Sequence, residues 1–244
     1  EGTSVLLNGE DHVRIQVLCN GMDIQSCFKK ANEIDDYIDA HFDYAFDEKY
    51  GYKTTFPTNT GTGMKAGYTL HLPSLSDARR LNDISAELGR FGLKFRTVYG
   101  DGQNGYGNLY QISTQKTLGQ DEHEVIKDLD DIVLQIVNQE KEQREHFYKK
   151  DKIQMDDEIY KSYGVLKYAR KLSLKDSMVL ISELMTGISL GVLQFAHNGR
   201  YNINELIMDI QPAVLRQNSG KAMSVAETDV LRAEYIRKYL PEII

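Results

Sequence analysis

Three short stretches of this 244-residue chain gather side chains able to do chemistry. The first, Asn8-Gly9-Glu10-Asp11-His12-Val13-Arg14-Ile15, sets two carboxylates, an imidazole and a guanidinium at what reads as the junction of two strands. The second is Phe56-Pro57-Thr58-Asn59-Thr60-Gly61-Thr62-Gly63-Met64-Lys65. Its glycines and Thr62 are able to turn backbone N–H groups toward an anion, as phosphate nests do. The third, Arg96-Thr97-Val98-Tyr99-Gly100-Asp101-Gly102, places a cation and an acid around a turn. Each stretch has a plainer reading. The first is then a surface turn with incidental charges and the second a tight turn. Arg96 becomes a solvated strand-end charge and Asp101 an ordinary turn residue. The chemistry that would use all three is phosphoryl transfer, which needs positive groups around the moving phosphate more than it needs a covalent participant.

The elements that must position these residues follow from periodicity. Residues 4–7 and 13–18 read as strands, the second with Ile15 and Val17 on one side and Arg14 and Gln16 on the other. Asn20-Gly21 signals a turn. Helical spacing runs over residues 24–46 through Ile24, Cys27, Phe28, Ala31, Ile34, Ile38 and Phe42. Residues 66–72 form a third strand stopped at Pro73, and residues 76–91 a helix ended by Gly92. Residues 95–99 and 109–114 are strands on either side of the glycine-rich loop 100–107. A long helix starts with an acidic turn at Asp121 and ends in basic residues. Four further helices are expected around 158–170, 175–187, 203–208 and 226–239, the last behind a Ser224-Val225-Ala226-Glu227 capping box. Strands and helices mix without a regular strand–helix repeat. The expected class is therefore α+β: an antiparallel β-sheet flanked by helices, followed by a helical C-terminal domain. The expected boundary divides residues 1–150 from 151–244.

The three stretches resemble, in family order, the motifs of the ATP:guanidino phosphotransferases. The second is similar to Cys-Pro-Thr-Asn-Leu-Gly-Thr-Gly-Leu-Arg, the first to Asn-Glu-Glu-Asp-His-Leu-Arg-Ile, and the third to Arg-Gly-x-Tyr-Gly-Glu-Gly. The resemblance implies a guanidino kinase (glutamine synthetase-like) catalytic fold with ATP and Mg2+ as cofactors. It implies that Glu10 holds a guanidinium and is a candidate base, that Asp101 is the acid of a mobile loop, and that Arg14, Lys65 and Arg96 bind ATP phosphates. No protein metal ligand is expected. Phe56 stands where the family has a cysteine thought to orient the guanidinium as a thiolate. A phenyl ring offers neither charge nor lone pair. Lys65 replaces an arginine and loses its two-pronged fork. Gly9 replaces the first family glutamate. The family's early Ser-Ser-Arg-Ile-Arg-like segment has no counterpart here, which implies an incomplete ATP site.

Leu70-His71-Leu72-Pro73, Thr117-Leu118-Gly119, the run Tyr160 to Leu166 and the helical tail resemble the bacterial protein-arginine kinase branch. That branch implies a protein substrate with an exposed arginine, an adaptor or activator protein, a homodimer and a cytoplasmic location. Asp229 and Arg232 match part of its phosphoarginine motif, whose first arginine is Thr228 here. Five departures at exacting positions favour an alternative, a non-catalytic binding or regulatory module in protein quality control. A formal net charge of -7 argues against a general nucleic-acid partner. No apolar stretch is long enough for a membrane span. Two cysteines, Cys19 and Cys27, are too few for a disulfide scaffold and read as free thiols.

Overall fold

Val13, Ile15 and Val17 are half-buried while Arg14, Gln16 and Leu18 face solvent, so an extended chain sorts them by its period of two. The structure is a computed structural model that describes residues 2–101, 104–196 and 202–244; of Asp101 and Asn104 it describes the main chain. In chain order its elements are β1 (Gly2–Leu7), β2 (Val13–Leu18), α1 (Ile24–Asp39), β3 (Phe46–Asp47), β4 (Gly51–Tyr52), β5 (Gly67–His71), α2 (Pro73–Asp77) and α3 (Leu81–Arg90). Then come β6 (Leu93–Thr97), β7 (Gly100–Asp101), β8 (Asn104–Gly105), β9 (Leu109–Thr114) and α4 (Glu122–Lys150). The tail holds α5 (Lys152–Tyr168), α6 (Leu174–Ser189), α7 (Ile203–Asp209), α8 (Pro212–Ser219) and α9 (Val225–Tyr239). The chain forms two units. Unit 1 is Glu1–Leu70, Arg79–Arg96 and Tyr110–Gln139; unit 2 is His71–Ala78, Thr97–Leu109 and Glu140–Ile244.

In unit 1, β1 and β2 pair antiparallel with Leu7 opposite Val13 and Leu6 opposite Arg14. A second sheet has the order β5-β9-β6. Its strands run antiparallel, since the Thr114 N–H donates to the Ala66 carbonyl (2.9 Å) and the Gln115 N–H to that of Gly92 (3.2 Å). Tyr68, Leu70, Leu93 and Ile112 from the sheet are buried, with Ile84 and Leu88 of α3 and Ile126, Leu129 and Val133 of α4. Each such aliphatic side chain contributes about 1.5–3 kcal/mol of burial. Asp23 caps α1 by accepting the Ser26 N–H, and Asp121 caps α4 by accepting those of His123 and Glu124. The Cys27 thiol is pushed up to about 12 by burial and by Cys19 beside it, which leaves it protonated and inert.

Unit 2 is built on Ile159, Leu166, Met178, Ile181, Leu184, Ile210 and Ile236 and their neighbours. Ser173 caps α6, and Ser224 with Glu227 forms the expected reciprocal box on α9. Glu140 of α4 caps α2 by accepting the Ser74 and Leu75 N–H groups at 3.1 and 2.9 Å, and Arg144 holds that carboxylate at 2.8 Å. The half-buried His71 imidazole meets the Ser182 hydroxyl at 2.8 Å. Burial, helped by the Arg144 charge, pushes it down to about 3, so it stays neutral.

The α+β reading with an antiparallel sheet and a helical tail describes the molecule. Local boundaries differ. The helix expected over 24–46 stops at Asp39, and the one expected over 76–91 is two helices broken at Arg79, whose φ is 57°. No expectation covered α8, which starts on Pro212 and ends at left-handed Gly220.

Candidate functional site

The turn between β1 and β2 is tight because Asn8 takes a positive φ of 55° and its N–H donates to the His12 carbonyl at 2.9 Å. Glu10 and Asp11 sit at its tip. From there two bonds reach the second motif. The Thr55 N–H donates to Asp11 Oδ1 at 2.7 Å, and Thr55 Oγ1 donates to the Glu10 carbonyl at 2.6 Å. The Thr55 N–H, with help from the Thr55 and Asn59 side chains, holds the Asp11 carboxyl below its usual range. Phe56 follows directly. Its carbonyl accepts the Asn59 N–H (2.9 Å) and Thr54 Oγ1 (2.7 Å), and its ring is 46 % exposed. Lys65 Nζ reaches back to Asn59 Oδ1 at 2.6 Å. Glu10, Phe56 and Lys65 are thus joined through Thr55 and Asn59, within unit 1.

The loop is held from behind as well. Thr117 Oγ1 donates to the Thr60 carbonyl at 2.7 Å, and the Thr62 N–H donates to the Thr117 carbonyl at 2.9 Å. Tyr52 and Gly61 exchange main-chain bonds of 2.8 and 3.3 Å. These bonds correct one expectation. The N–H groups of Asn59, Thr60, Gly61, Thr62 and Met64 already have protein acceptors, so they do not form an open nest for an anion. Among the glycines of the loop, Gly61 is thus engaged, which leaves side-chain cations as the main groups to meet a phosphate here.

Gly61 shows how closely the backbones approach. Its φ is 116°, and a Cβ there would lie 2.2 Å from the Thr117 carbonyl oxygen. Gly61→Ala should cost about 2 kcal/mol or more locally. Hydrogen exchange at the Thr62 N–H would report it as lost protection; unchanged protection would remove Gly61 from this role.

The other expected residues are placed as follows. Arg14 lies on β2, exposed, opposite Leu6. Arg96 lies on β6, exposed, and its Nε donates to Gln111 Oε1 at 2.7 Å. Among the described residues no carboxylate is within ion-pair distance of Arg14, Lys65 or Arg96. Lys65 and Arg96 each donate to a neutral amide oxygen, which suits cations that are to meet a polyphosphate ligand. Asp101 belongs to unit 2, where its main chain pairs with Asn104; its side chain, like Gly102, lies outside the described residues. Asp229 and Arg232 are buried in unit 2, and Arg232 is 1 % exposed. Its Nε donates to the Ile210 carbonyl at 3.0 Å, and its Nη1 to the Leu172 carbonyl and to Asp229 Oδ1 at 2.9 and 2.7 Å.

Sequence reasoning did not single out Asp11, Thr55, Asn59 or Thr117. The first three lie inside or beside the quoted motifs, and a search for polar side chains flanking the charged residues finds them. Thr117 opens the quoted run Thr117-Leu118-Gly119, but its contact with Thr60 spans 57 positions and no local pattern announces it.

Residues 1–143 match the family model described as ATP:guanido phosphotransferase, C-terminal catalytic domain. Residues 152–243 match that of the protein-arginine kinase McsB C-terminal domain. The chain is similar to a protein-arginine kinase of Bacillus licheniformis, 40 % identical over 98 % of this chain and 66 % of that protein. It is equally similar to one of Clostridium kluyveri, 40 % identical over 98 % of this chain and 69 % of that one. The chain therefore spans roughly two thirds of these relatives. Among solved structures it resembles the duplicated taurocyamine kinase from Schistosoma mansoni with bound transition state analog components. That match has 30 % identity and a TM-score of 0.50, and covers 57 % of this chain and 19 % of that one.

Proposed function

The chain belongs to the ATP:guanido phosphotransferase family, and on that premise we propose that the protein transfers the γ-phosphoryl group of ATP to the guanidinium of an arginine side chain in another protein. The observation that carries this reading is the double tie from Thr55 to Glu10 and Asp11, which keeps an acid and the signature loop on one surface.

The roles follow from charge. A guanidinium is protonated and a poor nucleophile until a proton leaves. The Glu10 carboxylate, exposed at the turn tip, orients the guanidinium and takes that proton as the N–P bond forms and the bond from γ-phosphorus to the bridging oxygen breaks. Lys65, Arg14 and Arg96 hold phosphate oxygens. Mg2+, when bound with the nucleotide, shields the phosphate charge. Asp101 is the second acid of the proposal. The domains proposed are 1–150 for the chemistry and 151–244 for a helical module, in keeping with family models that end at 143 and begin at 152. A cytoplasmic location, an adaptor protein and a homodimer complete the reading. The free thiols Cys19 and Cys27 suit a reducing location, and among the described residues no helix is long and apolar enough to cross a membrane; the adaptor and the homodimer rest on the family resemblance alone.

The exposed Phe56 ring favours a second reading, a module in protein quality control that binds without turnover. Radiolabelled ATP and a basic protein substrate separate the two in the full-length protein. The first reading expects acid-labile phosphoarginine, reduced about a hundredfold in Glu10→Gln. Equal signal from parent and variant would reject it. Phosphoarginine binding by calorimetry without turnover would then support the module.

A further inference from the structure

Thr117 lies between β9 and α4, outside the three charged motifs, and is 4 % exposed. A buried hydroxyl needs an acceptor, and this one finds two in the loop 56–65. Its Oγ1 stands 2.7 Å from the Thr60 carbonyl oxygen and 3.2 Å from that of Thr58, so one proton is shared across the exit of the single 3-10 turn Pro57–Asn59. Its carbonyl accepts the Thr62 N–H at 2.9 Å. The hold continues along the loop. Thr62 Oγ1 accepts the Met64 N–H at 3.2 Å, and Ala66, on the far side of Lys65, donates its N–H to Thr114 Oγ1 at 3.1 Å. Main chain fixed from residues 114–117 therefore flanks Lys65 on both sides.

We propose that Thr117 is a positioning residue for phosphoryl transfer: its hydroxyl seats the loop 56–65 so that residue 56 and Lys65 stand where the reacting groups meet. The role in transfer rests on the function proposed above; the seating of the loop does not. Phe56, Pro57 and Thr58 are exposed, so apolar burial does little to hold this part of the loop and hydrogen bonds must fix it. Thr55 ties the start of the loop to Glu10 and Asp11, and Thr117 ties its middle to the connection between β9 and α4. Misplacing reacting groups by about 1 Å can cost a hundredfold in rate. Binding suffers less, because geometry is most exacting in the transition state.

The test compares three variants of the full-length protein. Thr117→Val keeps the shape and removes the donor. Thr117→Ala removes the same donor without setting a second methyl against the loop carbonyls. Thr117→Ser keeps the donor. Hydrogen exchange at the Thr62 amide reads the seating, with the Ile84 amide of α3 as reference for opening of unit 1. Thr117→Val and Thr117→Ala should each speed exchange at Thr62 about tenfold, the worth of one hydrogen bond, and leave Ile84 unchanged. In transfer from Mg·ATP to a basic protein substrate, both should lower kcat about ten- to a hundredfold and move KM for Mg·ATP by less than about threefold. Thr117→Ser should restore exchange and kcat together. Equal acceleration at Thr62 and Ile84 would show general loosening and overturn the proposal. So would a loosened loop with the parent kcat, or a serine variant as slow as the valine one. A parent without turnover would instead overturn the kinase reading and this role in transfer with it, while the exchange rates would still decide whether Thr117 seats the loop.

Discussion

Changing Phe56 to cysteine and Lys65 to arginine together should raise transfer to protein arginine by about ten- to a hundredfold. The main chain at Phe56 is set by its neighbours. It is extended, with φ -106° and ψ 126°, ahead of Pro57, and its carbonyl bonds to Asn59 and Thr54 do not involve the ring. The ring itself is about half exposed, so its removal leaves no cavity and should shift stability by only about 0.5 kcal/mol. The change thus alters chemistry more than fold. A thiol at 56 would stand one residue beyond the Thr55 hydroxyl that grips the Glu10 carbonyl. As a thiolate it would add a second anion to orient the guanidinium. Its benefit should grow as pH rises toward about 8.5, where a free thiol ionises, and the parent should lack that dependence. Arginine at 65 would add the two-oxygen grip that lysine lacks. Phosphoarginine formation by the double variant, measured against its own Glu10→Gln background, decides the matter. A signal no higher than that background would favour the binding module.

The difference between what was legible in the sequence and what was not follows the range of the interactions. The loop 56–65 and the turn 8–14 could be read as motifs because their chemistry is local. What holds them together could not, since Asp11 meets Thr55 across 44 positions and Thr117 meets Thr60 across 57. The nest expectation is corrected at Gly61 and Thr62 for the same reason: their amides face acceptors supplied from Tyr52 and Thr117. The helix expected over 24–46 overran because Phe42 extends the apolar period. The hydroxyls of Tyr44 and Tyr52 both close on Asp35, at 3.0 and 3.2 Å, and that tertiary tie replaces the last helical turns. Strand 109–114 was readable to the residue, since its alternation and its flanking glycine loop agree. Helix α8 was not: eight residues give too few turns for a period to show.

Arg232→Ala should destabilise unit 2 by about 3–5 kcal/mol. The guanidinium joins three parts of that unit: Ile210 at the end of α7, Leu172 before α6, and Asp229 one turn earlier on α9. The Leu172 N–H also donates to the Asp229 carbonyl at 3.1 Å, so main chain and side chain reinforce the same junction. Truncation would leave two carbonyls and a carboxylate buried without their donor, each at a desolvation cost of about 1–3 kcal/mol. Removing both charges should cost far less. Arg232→Met with Asp229→Leu leaves an apolar pair of similar volume and should recover most of the loss. Urea denaturation followed by helical circular dichroism measures both variants. If Arg232→Ala unfolds at the parent midpoint, the clamp is not structural, and the guanidinium is held there for something else. Calorimetry with phosphoarginine on the parent then examines the remaining role. Three of the five N–H donors of this arginine already meet protein acceptors and the side chain is 1 % exposed, so a ligand reaches it only if the packing around it opens. Phosphoarginine binding should therefore shift the exchange of the Leu172 amide, which lies at the same junction.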